Sequence, residues 1–269
     1  MTAAVLPVWW DPAGDGPANM AADELLADEA ERRGGPVVRI YGWTTATVSL
    51  GAFQRLAEAE ACAAIAGLPL VRRPSGGGAI IHGSDLTYAA AVPKGHPWGS
   101  TPQALYDAMH EAMATVLGQI GVAARLHTPT DADPPADAFL CFARRSAGDL
   151  VAPPAGSPAS AGDAKIMGSA QRRLGTAVLQ HGSLLLAANT AVGQEARHAG
   201  LAELVPSGGS SKDAGGWQGR SIADLWLGRV AESLGIVREF QPEPFRIGRE
   251  DAIELRAARF RDPRWTGRR

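Results

Sequence analysis

The chain has 269 residues, 20% of them charged and 45% hydrophobic, with a formal net charge of −2. That balance belongs to a globular protein and gives no support to broad nucleic-acid or membrane binding. Two cysteines, Cys62 and Cys141, exclude a disulfide framework; the N-terminal MTAAVLPVWWDPAGDG has no basic n-region and no long apolar run, so neither a signal peptide nor a membrane span is expected and the compartment is read as cytoplasmic.

In chain order, Asn19 reads as the N-cap of a first helix, with Asp23 and Glu24 suited to its early dipole and Gly34-Gly35 as its stop. Residues 36–41 (PVVRIY) and 46–50 (ATVSL) are β-rich runs split by a Gly42-Trp43 turn. An alanine-rich helix over 57–66 holds Cys62 as a core residue, and 68–72 forms a strand entering RRPSGGGAIIHG. Residues 79–82 and 86–92 read as a hairpin, and 93–102 as a loop. The helix over 103–120 is the clearest, with Leu105, Met109, Met113, Val116, Leu117 and Ile120 at helical spacing. A short strand is read at 123–126. Residues 153–164 (PPAGSPASAGDA) are a low-complexity, flexible insertion, and 164–173 with 177–186 make a hairpin about Leu174-Gly175. After a second loop at 207–216, helices are expected near 221–234 and 249–260. Helices mixed with hairpin strands argue α+β with a mixed, mostly antiparallel sheet, in one domain over 1–269.

Three segments carry candidate chemistry. The glycine loop fits neither the P-loop nor the dinucleotide spacing. Gly76, Gly77 and Gly78 permit close approach of a ligand to backbone amides, with Arg72 and Arg73 free to hold a phosphate or carboxylate; the competing reading is a plain turn with solvated arginines. Lys165, in KIMGSAQRR, either reaches a cleft to act in proton transfer or is simply solvated. Cys141 sits in FLCF, where an inert buried thiol is the default and a thiolate needs a cationic neighbour. His82 and His181 each precede a glycine, and no Cys/His spacing suggests a metal.

Together these segments resemble a known family. RRPSGGGAIIH followed by Leu86-Thr87-Tyr88 is similar to the first signature of the biotin/lipoate protein ligase and octanoyltransferase superfamily, and KIMGSAQRR with Gln180-His181-Gly182-Ser183-Leu184 to its second. Asn19 to Glu24 resembles its first helix, and Tyr41-Gly42-Trp43 with SLGAFQ its early strand pair. The resemblance, over residues 8 to 265, implies the catalytic fold of that superfamily. It implies Cys141 and Lys165 as catalytic residues, and Arg72, Arg73, Ser75, Gly76, Gly77, Gly78, His82, Gly168, Ser169, Ala170, His181 and Gly182 around the substrate, with the two histidines orienting loops.

Two reaction classes follow from it. One is a transferase that moves an octanoyl group from acyl carrier protein to a lysine of a lipoyl domain or glycine-cleavage H protein, through a Cys141 thioester and without a cofactor. The other is a ligase using ATP and Mg2+ through lipoyl-adenylate. The Cys141-Phe142 pair and the GSAQRR and LQHGS wording favour the cysteine-dependent transferase, and no accessory C-terminal domain of the ligase kind is expected. The stretch from Cys141 to Lys165 is longer than usual in the family, and ARRSAGDLV departs from its pattern there. A catalytically dead carrier-binding module is the reading of a third class, disfavoured by the preserved Lys165.

Overall fold

The computed structural model describes residues 4–130, 133–134, 138–153, 162–204 and 219–269. Eleven strands among these residues form two sheets: β1 (Val5–Trp10), β2 (Val37–Tyr41), β3 (Thr47–Leu50), β4 (Leu70–Arg72), β5 (Ile80–His82), β6 (Asp85–Pro93), β7 (Arg125–Leu126), β8 (Leu150–Ala152), β9 (Ala164–Leu174), β10 (Ala177–Leu185) and β11 (Val237–Phe240). The large sheet runs β11-β1-β2-β6-β10-β9-β8-β7 and the small one β4-β3-β5. Only the β1–β11 and β1–β2 pairs of the large sheet are parallel, so it is mixed and mostly antiparallel, as the sequence implied.

The strand period of two sorts the core into two layers. On β6, Tyr88, Ala90 and Val92 face one cluster while Ala89 and Ala91 face the other. The first cluster packs α4 (Pro102–Gln119) and α6 (Gly219–Ser233) on one face, with the Leu105, Met109, Met113, Val116 and Leu117 stripe buried. The second packs α1 (Gly16–Arg33) and α7 (Glu250–Arg261) on the other. Short helices α2 (Leu56–Glu60), α3 (Pro97–Ser100), α5 (Leu201–Leu204) and α8 (Pro263–Thr266) fill in between. Cys62 is half-buried against the small sheet's cluster.

Several local expectations are corrected. Helix α1 begins earlier, capped by Asp15, whose carboxylate accepts from Ala18 N at 2.8 Å. Asn19 is instead buried inside the helix, donating to the Gly14 and Gly42 carbonyls at 3.3 and 3.1 Å. Its carbonyl oxygen accepts from Arg39. Residues 79–82 and 86–92 are not a hairpin: β5 pairs with β3 in the small sheet, while β6 lies between β2 and β10 in the large one. Strands β1, β8 and β11 were not read from the sequence. The expected 93–102 loop contains α3. Most of the expected 153–164 insertion, at 154–161, and all of the 207–216 loop lie outside the described residues.

An ion network ties α1 to the large sheet. Arg39 is fully buried and donates to Asp11 at 2.5 Å and Asp23 at 2.8 Å. Tyr41 donates to the second Asp23 oxygen at 2.8 Å, which also meets His181 Nδ1 at 3.1 Å. Paired charges of this kind are tolerated in a core because each carboxylate oxygen finds a donor.

Candidate active site

The glycine loop leaves β4 and enters β5, both in the small sheet, and its exit places the cysteine. Ala79 N donates to Phe139 O at 2.9 Å and Cys141 N to Ala79 O at 2.7 Å, so residues 139–141 lie alongside the loop. Gly77 adopts φ +90°, a region that favours glycine. A Cβ at Gly78 would sit 2.8 Å from Cys141 N and 2.9 Å from its Cα, so the close approach of the two backbones requires glycine there.

Lys165 enters from β9. The β8–β9 register shifts so that Leu150 faces Met167 and Val151 faces Lys165; the resulting bulge re-aims the lysine, a common device beside active sites. Lys165 Nζ lies 3.5 Å from Cys141 Sγ and 2.7 Å from the Asp149 carboxylate, with both side chains of the ion pair 3% exposed. Asp149 is fixed by Ser146 N at 2.7 Å and the Tyr106 hydroxyl at 3.2 Å. Burial, and then the Asp149 charge, push the Tyr106 phenol up. The Lys165 ammonium is the cationic neighbour that a reactive thiolate needs.

Cys141 stands between two cavities. One is mainly apolar and is lined by Gly168, Ala170, Gly182, Trp43 and Met20. The other is polar and is lined by Gln103, Tyr106, Arg144, Ser146, Asp149 and Lys165. Gly77, Cys141 and Ser169 line both. The first presents an apolar lining and the second a polar one, with their junction at the sulfur.

A directed chain of hydrogen bonds orients this junction. His110 Nδ1 is 2.7 Å from the Gly148 carbonyl and must donate to it. Burial lowers the His110 pKa to about 3, so the ring is neutral and Nε2 accepts from the Ser169 hydroxyl at 2.7 Å. Ser169 in turn accepts from Tyr88 at 2.6 Å, and Gln180 donates to the Tyr88 oxygen at 2.7 Å. The Ser169 proton therefore points at His110, not into the cavity, and Ser169 offers a substrate only a lone pair.

The histidines that line the apolar cavity are held in the same way. His82 Nδ1 meets Asp85 at 2.8 Å, Nε2 meets Ser49 Oγ at 2.8 Å, and the ring stacks on Trp43 at 4.0 Å. His181 is held between Asp23 and Ser75.

Of the residues singled out in the sequence, all but Arg72, Ser75 and Gly76 line one of these two cavities. Ser75 lies behind His181. Arg72, expected at the substrate, turns away: it donates to the carbonyls of Gly51, Gln54 and Thr266 at 2.6–2.8 Å and bolts the C-terminal segment to the loop. Arg73 lines the apolar cavity, but its guanidinium is committed to the Ser49, Gly76 and Gly78 carbonyls at 2.6–2.8 Å. Burial lowers Arg73 to about 10. Sequence reasoning assigned no site role to Asp149, Tyr106, His110 or Tyr88, although Tyr88 closes the Leu86-Thr87-Tyr88 motif and Asp149 lies in ARRSAGDLV.

Taken together, the paired cavities, the glycine loop and the Lys165–Cys141 contact make one candidate active site on a mixed sheet. The family model of the lipoyl protein ligase A/B catalytic domain matches residues 15–205, and the chain belongs to that family. Among curated relatives, octanoyltransferase LipM of Symbiobacterium thermophilum is 37% identical over 179 residues, 64% of this chain and 61% of that protein. LipM of Geobacillus kaustophilus is 34% identical over 177 residues, 62% of this chain and 60% of that protein. The match thus spans about 60% of these relatives' length. Among solved structures, Ta0514 of T. acidophilum superposes with a TM-score of 0.69 at 22% identity, over 99% of this chain and 100% of that one. A lipoate-protein ligase A bound with ATP gives 0.63 at 21%, over 99% of each chain. These likenesses show the fold. No described helix is long and apolar enough to cross a membrane.

Proposed function

We propose that the protein is an acyltransferase that takes an octanoyl group from acyl carrier protein and passes it to a specific lysine of a lipoyl domain or glycine-cleavage H protein, through a thioester on Cys141. The observation that carries this reading is Cys141 Sγ 3.5 Å from Lys165 Nζ at the junction of an apolar and a polar cavity.

The acyl chain lies in the apolar cavity and the pantetheine arm in the polar cleft, which sets the thioester carbonyl at the sulfur. Cys141, with Lys165 Nζ 3.5 Å from its sulfur, attacks the carbonyl as the nucleophile. The new carbon–sulfur bond forms on Cys141, the bond to pantetheine breaks, and the departing thiolate takes a proton from Lys165. Exchange of one thioester for another is close to balanced, so the site need supply only position and charge. In the second half, the neutral amine of the acceptor lysine attacks the acyl-enzyme. The amide forms, the Cys141–acyl bond breaks, and the proton released by the amine returns to Lys165. An amide is more stable than a thioester, so this step runs downhill.

One feature speaks against adenylate chemistry. The Arg72 and Arg73 forks are occupied by backbone carbonyls rather than turned toward a phosphate. The sequence similarity to LipM octanoyltransferases points the same way. The test is transfer to an apo lipoyl domain from octanoyl-acyl carrier protein without ATP, set against transfer from free octanoate with ATP. Activity only in the second assay overturns the reading in favour of a ligase. Lys165→Ala abolishes transfer in the first; retained activity refutes its role.

A further inference from the structure

The acyl chemistry leaves the charge on the rim of the glycine loop unused. Phe53 is 66% exposed and lies over the loop, 3.6 Å from the position a Cβ would take at Gly76. The Arg269 guanidinium stands 5.8 Å from the Phe53 ring, and Arg268 stacks on Trp265 at 3.6 Å. Trp265 Nε1 donates to the Arg72 carbonyl at 2.9 Å, so the Arg72 bolt also seats these two arginines beside the loop. Arg172, two residues beyond Ala170 on β9, completes the set.

Arg172, Arg268 and Arg269 are exposed, and among the described residues none has a carboxylate within salt-bridge distance. The contrast with their neighbours is sharp: Arg256, Arg259, Arg261 and Arg264 each pair with an acid. Partial burial lowers the Arg268 pKa, and the charges of Arg172, Arg259 and Arg269 lower it further. Arg72 is lowered by burial and then by Arg268 and Arg269. A chain of net charge −2 thus concentrates unneutralised positive charge, with an exposed aromatic ring, beside the opening to its acyl site.

We propose that this arginine–phenylalanine rim is the docking surface for the acidic face of the carrier protein that delivers the acyl group. The inference rests on the transferase reading. The donor is the occupant the charge selects: its arm joins the protein through a phosphodiester, an anion that forked guanidinium groups bind well. The acceptor presents a lysine, a cation that this rim repels. From the rim the arm passes exposed Gly77, which lines both cavities, and reaches Cys141.

The experiment compares the wild type with the triple variant Arg172→Glu, Arg268→Glu, Arg269→Glu. Acyl-enzyme formation is timed with octanoyl-acyl carrier protein and with octanoyl-pantetheine, which lacks the protein. The expected result is a roughly ten- to hundredfold fall in kcat/KM for the carrier-borne thioester and less than a twofold change for the small one. The wild type also loses rate with the carrier between about 0.05 and 0.3 M salt, and the variant does not. Equal loading from the carrier, an equal defect with octanoyl-pantetheine, or a defect confined to transfer onto the lipoyl domain overturns the proposal. A wild type loaded by neither thioester refutes the transferase reading instead. Anisotropy of labelled holo carrier protein then decides the rim alone: a variant that binds as tightly as the wild type overturns it.

Discussion

Gly168→Ala separates position from stability at Lys165, the lysine proposed to be catalytic. Gly168 lies on β9 without a positive φ, so the backbone accepts alanine. The added Cβ would sit 2.6 Å from Lys165 Cε, 2.9 Å from Nζ and 3.4 Å from an Asp149 oxygen. Ordinary contact requires the end of the lysine to retreat by about 1 Å, which carries Nζ off the 3.5 Å contact with the sulfur or the 2.7 Å contact with Asp149. A misplacement of about 1 Å costs on the order of a hundredfold in rate. The atoms that must move belong to a flexible side chain, so folding loses little, and a melting temperature within about 5 °C of wild type is expected. Acyl-enzyme formation is timed by intact mass and unfolding by a thermal melt. A near wild-type rate, or a rate lost together with the fold, refutes the reasoning.

Three other outcomes follow from the same geometry. Asp149→Asn removes the charge that holds Lys165 while keeping the shape, and loading by octanoyl-pantetheine falls roughly ten- to hundredfold; unchanged loading denies Asp149 its positioning role. Arg39→Leu leaves Asp11 and Asp23 buried without their cation, and urea unfolding reads a loss of about 3–5 kcal/mol, whereas a loss under about 1 kcal/mol contradicts the network's role. For His110, burial lowers the folded pKa to about 3 while the unfolded ring titrates near 6.5. Between those values the unfolded state binds the extra proton, so the contribution is full above about pH 6.5 and is lost as pH falls toward 3, by up to about 1.4 kcal/mol per unit. His110→Asn therefore loses less stability than wild type between pH 7 and 4.5 in urea melts; an equal loss refutes the assignment.

What the sequence revealed depended on the range of each signal. The helix over α4 and the β9–β10 hairpin were legible because their apolar periods and turn glycines are local. Strands β1 and β11 pair with each other across almost the whole chain, and no local period announces that. The false hairpin at 79–92 has the same origin: β5 and β6 are adjacent in sequence, but the junction of two sheets falls between them. At the site, motif wording brought Cys141 and Lys165 forward. Of the partners that orient Lys165 and Ser169, Asp149 and His110 come from separate elements and carry no spacing of their own, while Tyr88 stood in a quoted motif with no role assigned. Arg72 shows the reverse: an arginine beside a glycine loop looks like an anion ligand until its donors are found on the backbone of the C-terminal segment.

The central claim is the acyl-enzyme on Cys141. Its most direct test is the intact mass of the protein after incubation with octanoyl-acyl carrier protein in the absence of ATP. The account predicts a single octanoyl adduct on the wild type, discharged by an apo lipoyl domain and absent from Cys141→Ala. No adduct on the wild type, or an adduct that persists in Cys141→Ala, contradicts it.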